Sequence, residues 1–214
     1  MIERDNGGSM NILRYAARAA DCTVLGPGKR GVVWVYGCCF SCEGCIAPSY
    51  KSGRWKEAAA QEMAEWFLAQ NTDGLTISGG EPMLQAAVLS DIVERIRRER
   101  DCGVIVYTGF VYEDLLSRAE KDEGIGRFLK QIDLLIDGPY IQSLDHNQPY
   151  RGSENQRLIP LTRRYEQELE NYYAAEQSRQ IDIRISEQHT MMLGVPSREQ
   201  AEIWRKIKEL GERT

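Results

Sequence analysis

Four short, almost wholly apolar runs at regular distances constrain this chain more than any other feature. They are Val32–Tyr36 (VVWVY), Gly74–Ser78 (GLTIS), Gly103–Tyr107 (GVIVY) and Ile132–Ile136 (IDLLI). Runs of this length, rich in β-branched and aromatic residues, predict strands buried on both faces. The segments between them have a different period. Lys56–Gln70 places Ala59, Met63, Trp66 and Phe67 at helical spacing, Leu84–Arg100 does the same with Val88, Ile92 and Ile96, and Tyr112–Lys121 and Gly126–Gln131 are shorter helical pieces. Strands alternating with helices predict a parallel sheet with right-handed crossovers and helical cover. The expected fold class is α/β, a partial (β/α) barrel or open sheet spanning residues 10–160.

Two flanking regions depart from that pattern. Asp21–Gly37 reads as two short β segments around a glycine–proline turn, the second running directly into the cysteines. After Pro149 the tract Arg163–Gln180 is highly charged, Ile181–Ile185 (IDIRI) alternates like an edge strand, and Arg198–Leu210 is amphipathic. Residues 161–214 are expected to be a helix/strand appendage packed on the core, too small for a second full domain. No internal repeat or low-complexity tract is evident.

Charge and hydropathy exclude several classes. With 214 residues, 42% of them hydrophobic, the chain can bury one core. Its formal charge of −5 lacks the basic excess that sequence-independent binding of nucleic acid requires. No run approaches the roughly 18 apolar residues of a membrane span. The segment Met1–Met10 is too polar for a signal-peptide core and is left out of the fold reading. A cytoplasmic location is expected, with neither nucleic acid nor membrane as partner.

Four of the six cysteines, Cys38, Cys39, Cys42 and Cys45, fall within eight positions, while Cys22 and Cys102 stand alone. In a reducing compartment such clustering points to metal rather than disulfides. Gly37, Gly44 and Pro48 argue for a loop wrapping a compact ion or cluster. An iron–sulfur cubane held by Cys38, Cys42 and Cys45 would leave one iron open to a ligand. Zinc remains an alternative, but it would need Cys39, Cys22, Cys102 or a histidine to close a four-ligand site. Cys39 could pair with Cys42 as a CxxC dithiol or substitute ligand; its simpler reading is a small, at least partly buried thiol beside the site.

Each predicted strand ends in a chemically unusual segment: GCCFSCEGC, SGGEP, TGF and DGPY. In a parallel α/β sheet these ends point the same way and form the ligand crevice. Thr108 and Asp137 are therefore candidates to hydrogen-bond a ligand, or equally cap or turn residues. His146 and His189 lack an acid or nucleophile in a recognisable pattern, and Tyr172, Tyr173 and Trp204 read as core or interface aromatics.

Together, CxxxCxxC after a first strand and a strand-terminal GGE resemble the radical S-adenosylmethionine superfamily. The upstream GPGKR, CEGC, LTISGGEPM, VYTGF, LLIDGPYIQSL and RGSENQ resemble more closely the activating enzymes of anaerobic ribonucleotide reductase, in family order from Val24 to Leu158. The resemblance implies a 4Fe-4S cluster on Cys38, Cys42 and Cys45 and S-adenosylmethionine as cofactor. It further implies that Gly44, Cys45, Ile46, Ser78, Gly79, Gly80 and Glu81 line that cofactor, with Glu81 near its ammonium group and Thr108 and Asp137 as further contacts. No catalytic residue beyond the cluster and cofactor ligands is implied. Arg151, Ser153 and Asn155 match a segment expected to anchor a loop or meet a partner. The implied activity is glycyl-radical generation on a large partner enzyme, with a flavodoxin- or ferredoxin-type electron donor. Ala47-Pro48 and the more than fifty residues after Gln156 depart from that pattern, keeping open a maturase acting on a ribosomal peptide or another substrate, and a non-enzymatic zinc or iron–sulfur module.

Overall fold

The computed structural model describes residues 11–174, 179–185 and 190–211. Its elements are β1 (Ile12–Cys22), β2 (Arg30–Val35), α1 (Ser49–Ser52), β3 (Lys56–Ala59), α2 (Ala60–Leu68), β4 (Gly74–Gly79), α3 (Ala86–Glu99), β5 (Gly103–Tyr107), α4 (Tyr112–Ala119), α5 (Glu123–Leu129), β6 (Leu134–Asp137) and β7 (Arg157–Pro160). Beyond them lie α6 (Glu166–Ala174), β8 (Ile181–Ile185), β9 (Thr190–Gly194) and α7 (Arg198–Gly211).

Seven strands form one sheet in the order β3-β1-β2-β4-β5-β6-β7. Its centre, β2-β4-β5-β6, is parallel throughout and consists of the four apolar runs. The antiparallel strands β1, β3 and β7 flank it. The architecture is α/β with a mostly parallel sheet.

Period-two alternation explains why the central strands are almost wholly apolar. Val33, Val35, Leu75, Ile77, Val104, Val106 and Leu135 pack against Phe67 of α2, Leu89, Ile92 and Ile96 of α3 and Phe128 of α5. The alternate residues are covered from the other side. Ile105, Leu134 and Ile136 meet Leu158, Tyr165, Leu169 and Tyr172, while Val32 and Trp34 meet Cys22, Leu25 and Leu193 of β9. A strand with cover on both faces has no polar face to present.

At the start of the parallel strands sits Arg30, 1% exposed. Its guanidinium donates to the carbonyls of Leu75 and Gly103, each at 2.8 Å, and to the Tyr165 hydroxyl at 2.9 Å. Asp133 braces the same end, accepting from Val104 N at 2.8 Å and the Thr162 hydroxyl at 2.7 Å and pairing with Arg97 at 2.7 Å.

Several expectations are corrected. Lys56–Gln70 is not one helix: Lys56–Ala59 pairs with Ile12–Tyr15 of β1, and the helix begins at Ala60. The ladder to a neighbouring strand overrides the helix propensity of KEAA. The first β segment lies upstream of where it is expected: β1 runs from Ile12 to Cys22, and residues 23–29 are not a strand. The edge beside β6 is β7, which the sequence pattern did not reveal, whereas Ile181–Ile185 pairs with β9 in a separate two-stranded ribbon.

Candidate cluster and cofactor site

Just past β2 the chain enters the cysteine loop, which is tied down from several directions. Gly37 N donates to Tyr50 O at 2.8 Å, and Gly37 O accepts from Glu81 N at 2.8 Å. Lys51 Nζ donates to Phe40 O and to the Ser41 hydroxyl, both at 2.8 Å. The Phe40 ring packs edge-on against Phe110 of the TGF segment, centroids 4.9 Å apart. Gly109 is required by that contact, since a Cβ there would stand 2.6 Å from the Phe40 ring.

The loop and the ends of β4, β5 and β6 enclose a cavity of about 190 Å³. Cys38, Cys42, Cys45 and Ile46 line it from the first strand end, Ser78, Gly79, Gly80 and Glu81 from the second, Thr108 and Gly109 from the third, and Gly138 from the fourth. Among the described residues, no three His, Cys, Asp or Glu side chains group as a single-ion site. Three cysteines lining one cavity offer a cubane three ligands and leave its fourth iron open, whereas a closed zinc site needs a fourth ligand. Cys22 and Cys102 are buried in the core and do not line the cavity. Burial pushes the Cys38 thiol up, and Glu81, Cys39 and Cys42 push it further. A bound cationic centre would offset this, because ligation requires the thiolate.

Three sequence expectations land elsewhere. Cys39 is exposed rather than buried beside the cluster, and it does not line the cavity. Gly44, at φ +74°, makes the loop's turn with its α-carbon against Gln142, also outside the lining. Asp137, 1% exposed, does not line it either: it accepts from Tyr112 N at 2.8 Å, at the start of α4, and from Arg157 Nε at 3.0 Å. Its carboxylate is a structural tie.

Glu81 and Thr108 do line the cavity, yet their polar atoms are engaged with each other. Glu81 is fully buried; one carboxylate oxygen accepts from Met83 N at 2.9 Å and the Thr108 hydroxyl at 2.8 Å, the other from Gly109 N at 2.8 Å. Burial pushes this carboxyl up to about 6, against the three hydrogen bonds that favour its charge. Gly79 and Gly80 allow a close approach of backbone to backbone. A Cβ at Gly80 would stand 2.0 Å from Gly37 O, and at Gly79, φ +105°, 2.5 Å from Val35 N. The glycines thus let the cysteine loop lie directly on the end of β4.

RGSENQ folds back onto DGPY. Asn155 donates to Pro139 O and Gln156 to Gly138 O, both at 2.8 Å, and the Ser153 hydroxyl accepts from Ile141 N at 3.1 Å. Arg151 donates to Gln156 O at 2.6 Å, so the segment anchors a loop. His146 is exposed beside Glu154, and Tyr172 is buried; His189 and the side chain of Tyr173 lie outside the described residues.

Residues missed from the sequence complete the wall: Tyr107, Tyr140, Asp145, Gly152, Gln156, Arg179, Val195 and Pro196. Gln156 and Gly152 fall in a quoted motif and could have been found; an arginine within a charged tract carries no such signal. Arg179 joins the C-terminal segment to the core. It pairs with Asp145 at 2.9 Å, the two side chains 3% and 4% exposed, and donates to the carbonyls of Gln148, Arg151, Gly152 and Pro196.

Three thiols facing a GGE strand end in one cavity agree with what comparison with known proteins finds. The family described as 4Fe-4S single cluster domain matches residues 24–159. The chain belongs to this family. It is 34% identical over 149 residues to the anaerobic ribonucleoside-triphosphate reductase-activating protein of Vibrio cholerae, covering 65% of this chain and 92% of that one. To the protein of the same name from phage T4 it is 32% identical over 146 residues, 63% of this chain and 86% of the other. A shorter match, 38% over 74 residues, covers 31% of this chain and 30% of the pyruvate formate-lyase-activating enzyme of Listeria monocytogenes. These are glycyl-radical activases of the radical S-adenosylmethionine type, and membership carries a 4Fe-4S cluster and S-adenosylmethionine as cofactors. No helix among the described residues is long and apolar enough to cross a membrane.

Proposed function

We propose that this protein reductively cleaves S-adenosylmethionine at a 4Fe-4S cluster on Cys38, Cys42 and Cys45 and uses the product to generate a glycyl radical on a large partner such as anaerobic ribonucleotide reductase. The observation that carries this reading is the shared cavity, in which three cysteines face Ser78, Gly79 and Gly80 across the ends of parallel strands. When bound there, the cluster supplies the electron that splits the sulfonium into methionine and a 5′-deoxyadenosyl radical.

The chain's own residues bind, orient and shield. Ser78, Gly79 and Gly80 offer backbone to the methionine part, with Gly44, Cys45 and Ile46 carrying the loop past it. Glu81 and Thr108 hold two strand ends in register, giving those backbone groups a fixed geometry. Asp137 supports the fourth strand end from behind. In this reading residues 10–160 form the radical core with the curvature of a partial (β/α) barrel, residues 161–214 are an extension packed on it, and a flavodoxin- or ferredoxin-type protein supplies electrons in the cytoplasm.

Arg179, Val195 and Pro196 in the cavity wall favour a second reading, a maturase acting on a ribosomal peptide, because an added wall restricts what enters. Anaerobic purification with iron and sulfide analysis, followed by assay of 5′-deoxyadenosine with reductant, tests the shared chemistry; one zinc and no sulfide overturns it. A glycyl radical signal in electron paramagnetic resonance on the reductase, with glycine hydrogen recovered in deoxyadenosine, selects the first reading over the second.

A further inference from the structure

Beside the cofactor cavity lies a second chamber of about 170 Å³, roofed by the C-terminal ribbon. The two are contiguous, sharing Cys45, Ile46, Ser78, Gly79, Tyr107 and Val195. Its remaining walls are chiefly apolar, with Leu25, Trp34 and Tyr50 from the core and Met192 and Trp204 from the extension; among the described residues no charged side chain lines it.

This chamber is built by fixed contacts. Leu193 of β9 is fully buried against Val32 and Trp34. Arg179 clamps Pro196, just past β9, to the core through the hydrogen bonds and ion pair given above. Both lie beyond the region the family shares, which ends at residue 159.

We propose that the second chamber receives an apolar side chain of the polypeptide whose hydrogen is abstracted. This rests on the function proposed above. A hydrogen donor must reach the cofactor cavity from an adjoining space, and apolar walls match a bulky aliphatic side chain of such a polypeptide. A charged small molecule would find no counter-charge there.

The test uses the full chain with its cluster reconstituted, saturated with S-adenosylmethionine and without reductant. Calorimetric titration compares two capped hexapeptides, acetyl-AALGAA-amide and acetyl-AAAGAA-amide. Burial of three further carbons is expected to tighten the leucine peptide by at least about ten-fold. Met192→Trp, which fills the chamber, should bring the ratio to about one. Equal binding of the two peptides by the unaltered protein, or binding of neither, overturns the proposal without any variant having to fold. A leucine preference seen only when S-adenosylmethionine is absent assigns the chamber to the cofactor and overturns it as well. Deoxyadenosine formation with reductant is measured separately: its absence removes the proposed function itself, and its presence confines a failure to the subsite.

Discussion

The Thr108 hydroxyl donates to the Glu81 carboxylate at 2.8 Å, joining the end of β5 to the end of β4 inside the cavity wall. The same carboxylate holds Gly109 N and Met83 N, and the Glu81 amide donates to Gly37 O at 2.8 Å, so this one buried residue ties the cysteine loop, GGE and TGF together.

That acid should leave a pH signature. Its carboxyl titrates near 6 in the fold against 4.5 for the ordinary group, so ionisation is harder in the folded state. The fold therefore loses stability as pH rises from about 4.5 through about 6, by roughly 2 kcal/mol once the group is charged in both states. Glu81→Gln lacks this slope but loses an acceptor for Gly109 N. Urea unfolding of cluster-free protein should show the variant less stable at pH 4.5, with its deficit narrowing by about 1–2 kcal/mol at pH 7.5.

Cluster loading separates the cysteines. Cys42→Ala should abolish iron and sulfide incorporation and deoxyadenosine formation, whereas Cys39→Ala, removing an exposed thiol outside the cavity, should leave both largely intact. Loss of the cluster in Cys39→Ala would refute the ligand assignment.

Asp137→Ala should damage the fold more than the site. It strips the backbone amide of Tyr112 of its acceptor and leaves Arg157 without its buried partner, at a cost of about 2–3 kcal/mol in denaturant unfolding. S-adenosylmethionine affinity of the folded variant should change less than about three-fold, a change too small for loss of a direct charged contact.

Gly80→Ala places a methyl against the Gly37 carbonyl, backbone that cannot rotate away. The cysteine loop must shift, and iron content should fall by more than half under reconstitution that loads the unaltered protein. Retention of the cluster would mean that the loop is looser than this contact implies.

Arg179→Ala leaves buried Asp145 without its ion-pair partner and removes donors from four carbonyls. A loss of about 3 kcal/mol is expected, along with faster proteolysis after residue 160 than in the core.

Legibility in the sequence followed the range of the interactions. The four parallel strands were readable because burial on both faces writes itself as an unbroken apolar run, and β5 matches its expected span, Gly103–Tyr107. The three cavity-lining cysteines were readable because cluster ligands come from one loop at fixed spacing. β7 and β3 were not readable: RLIP and KEAA carry little β preference and become strands because β6 and β1 offer them ladders.

The sequence by itself determined the parallel core, the loop of three thiols, and the convergence of four strand ends, all consequences of local period and chain direction. Only the tertiary structure decided the work of the polar residues at that convergence. Glu81, Thr108 and Asp137 satisfy backbone donors and an arginine around the cavity, as buried carboxylates must. Only tertiary packing, too, could place Arg179 and Val195 in the wall of a site whose strand ends lie more than forty positions earlier, since contacts between distant segments leave no periodic trace in either.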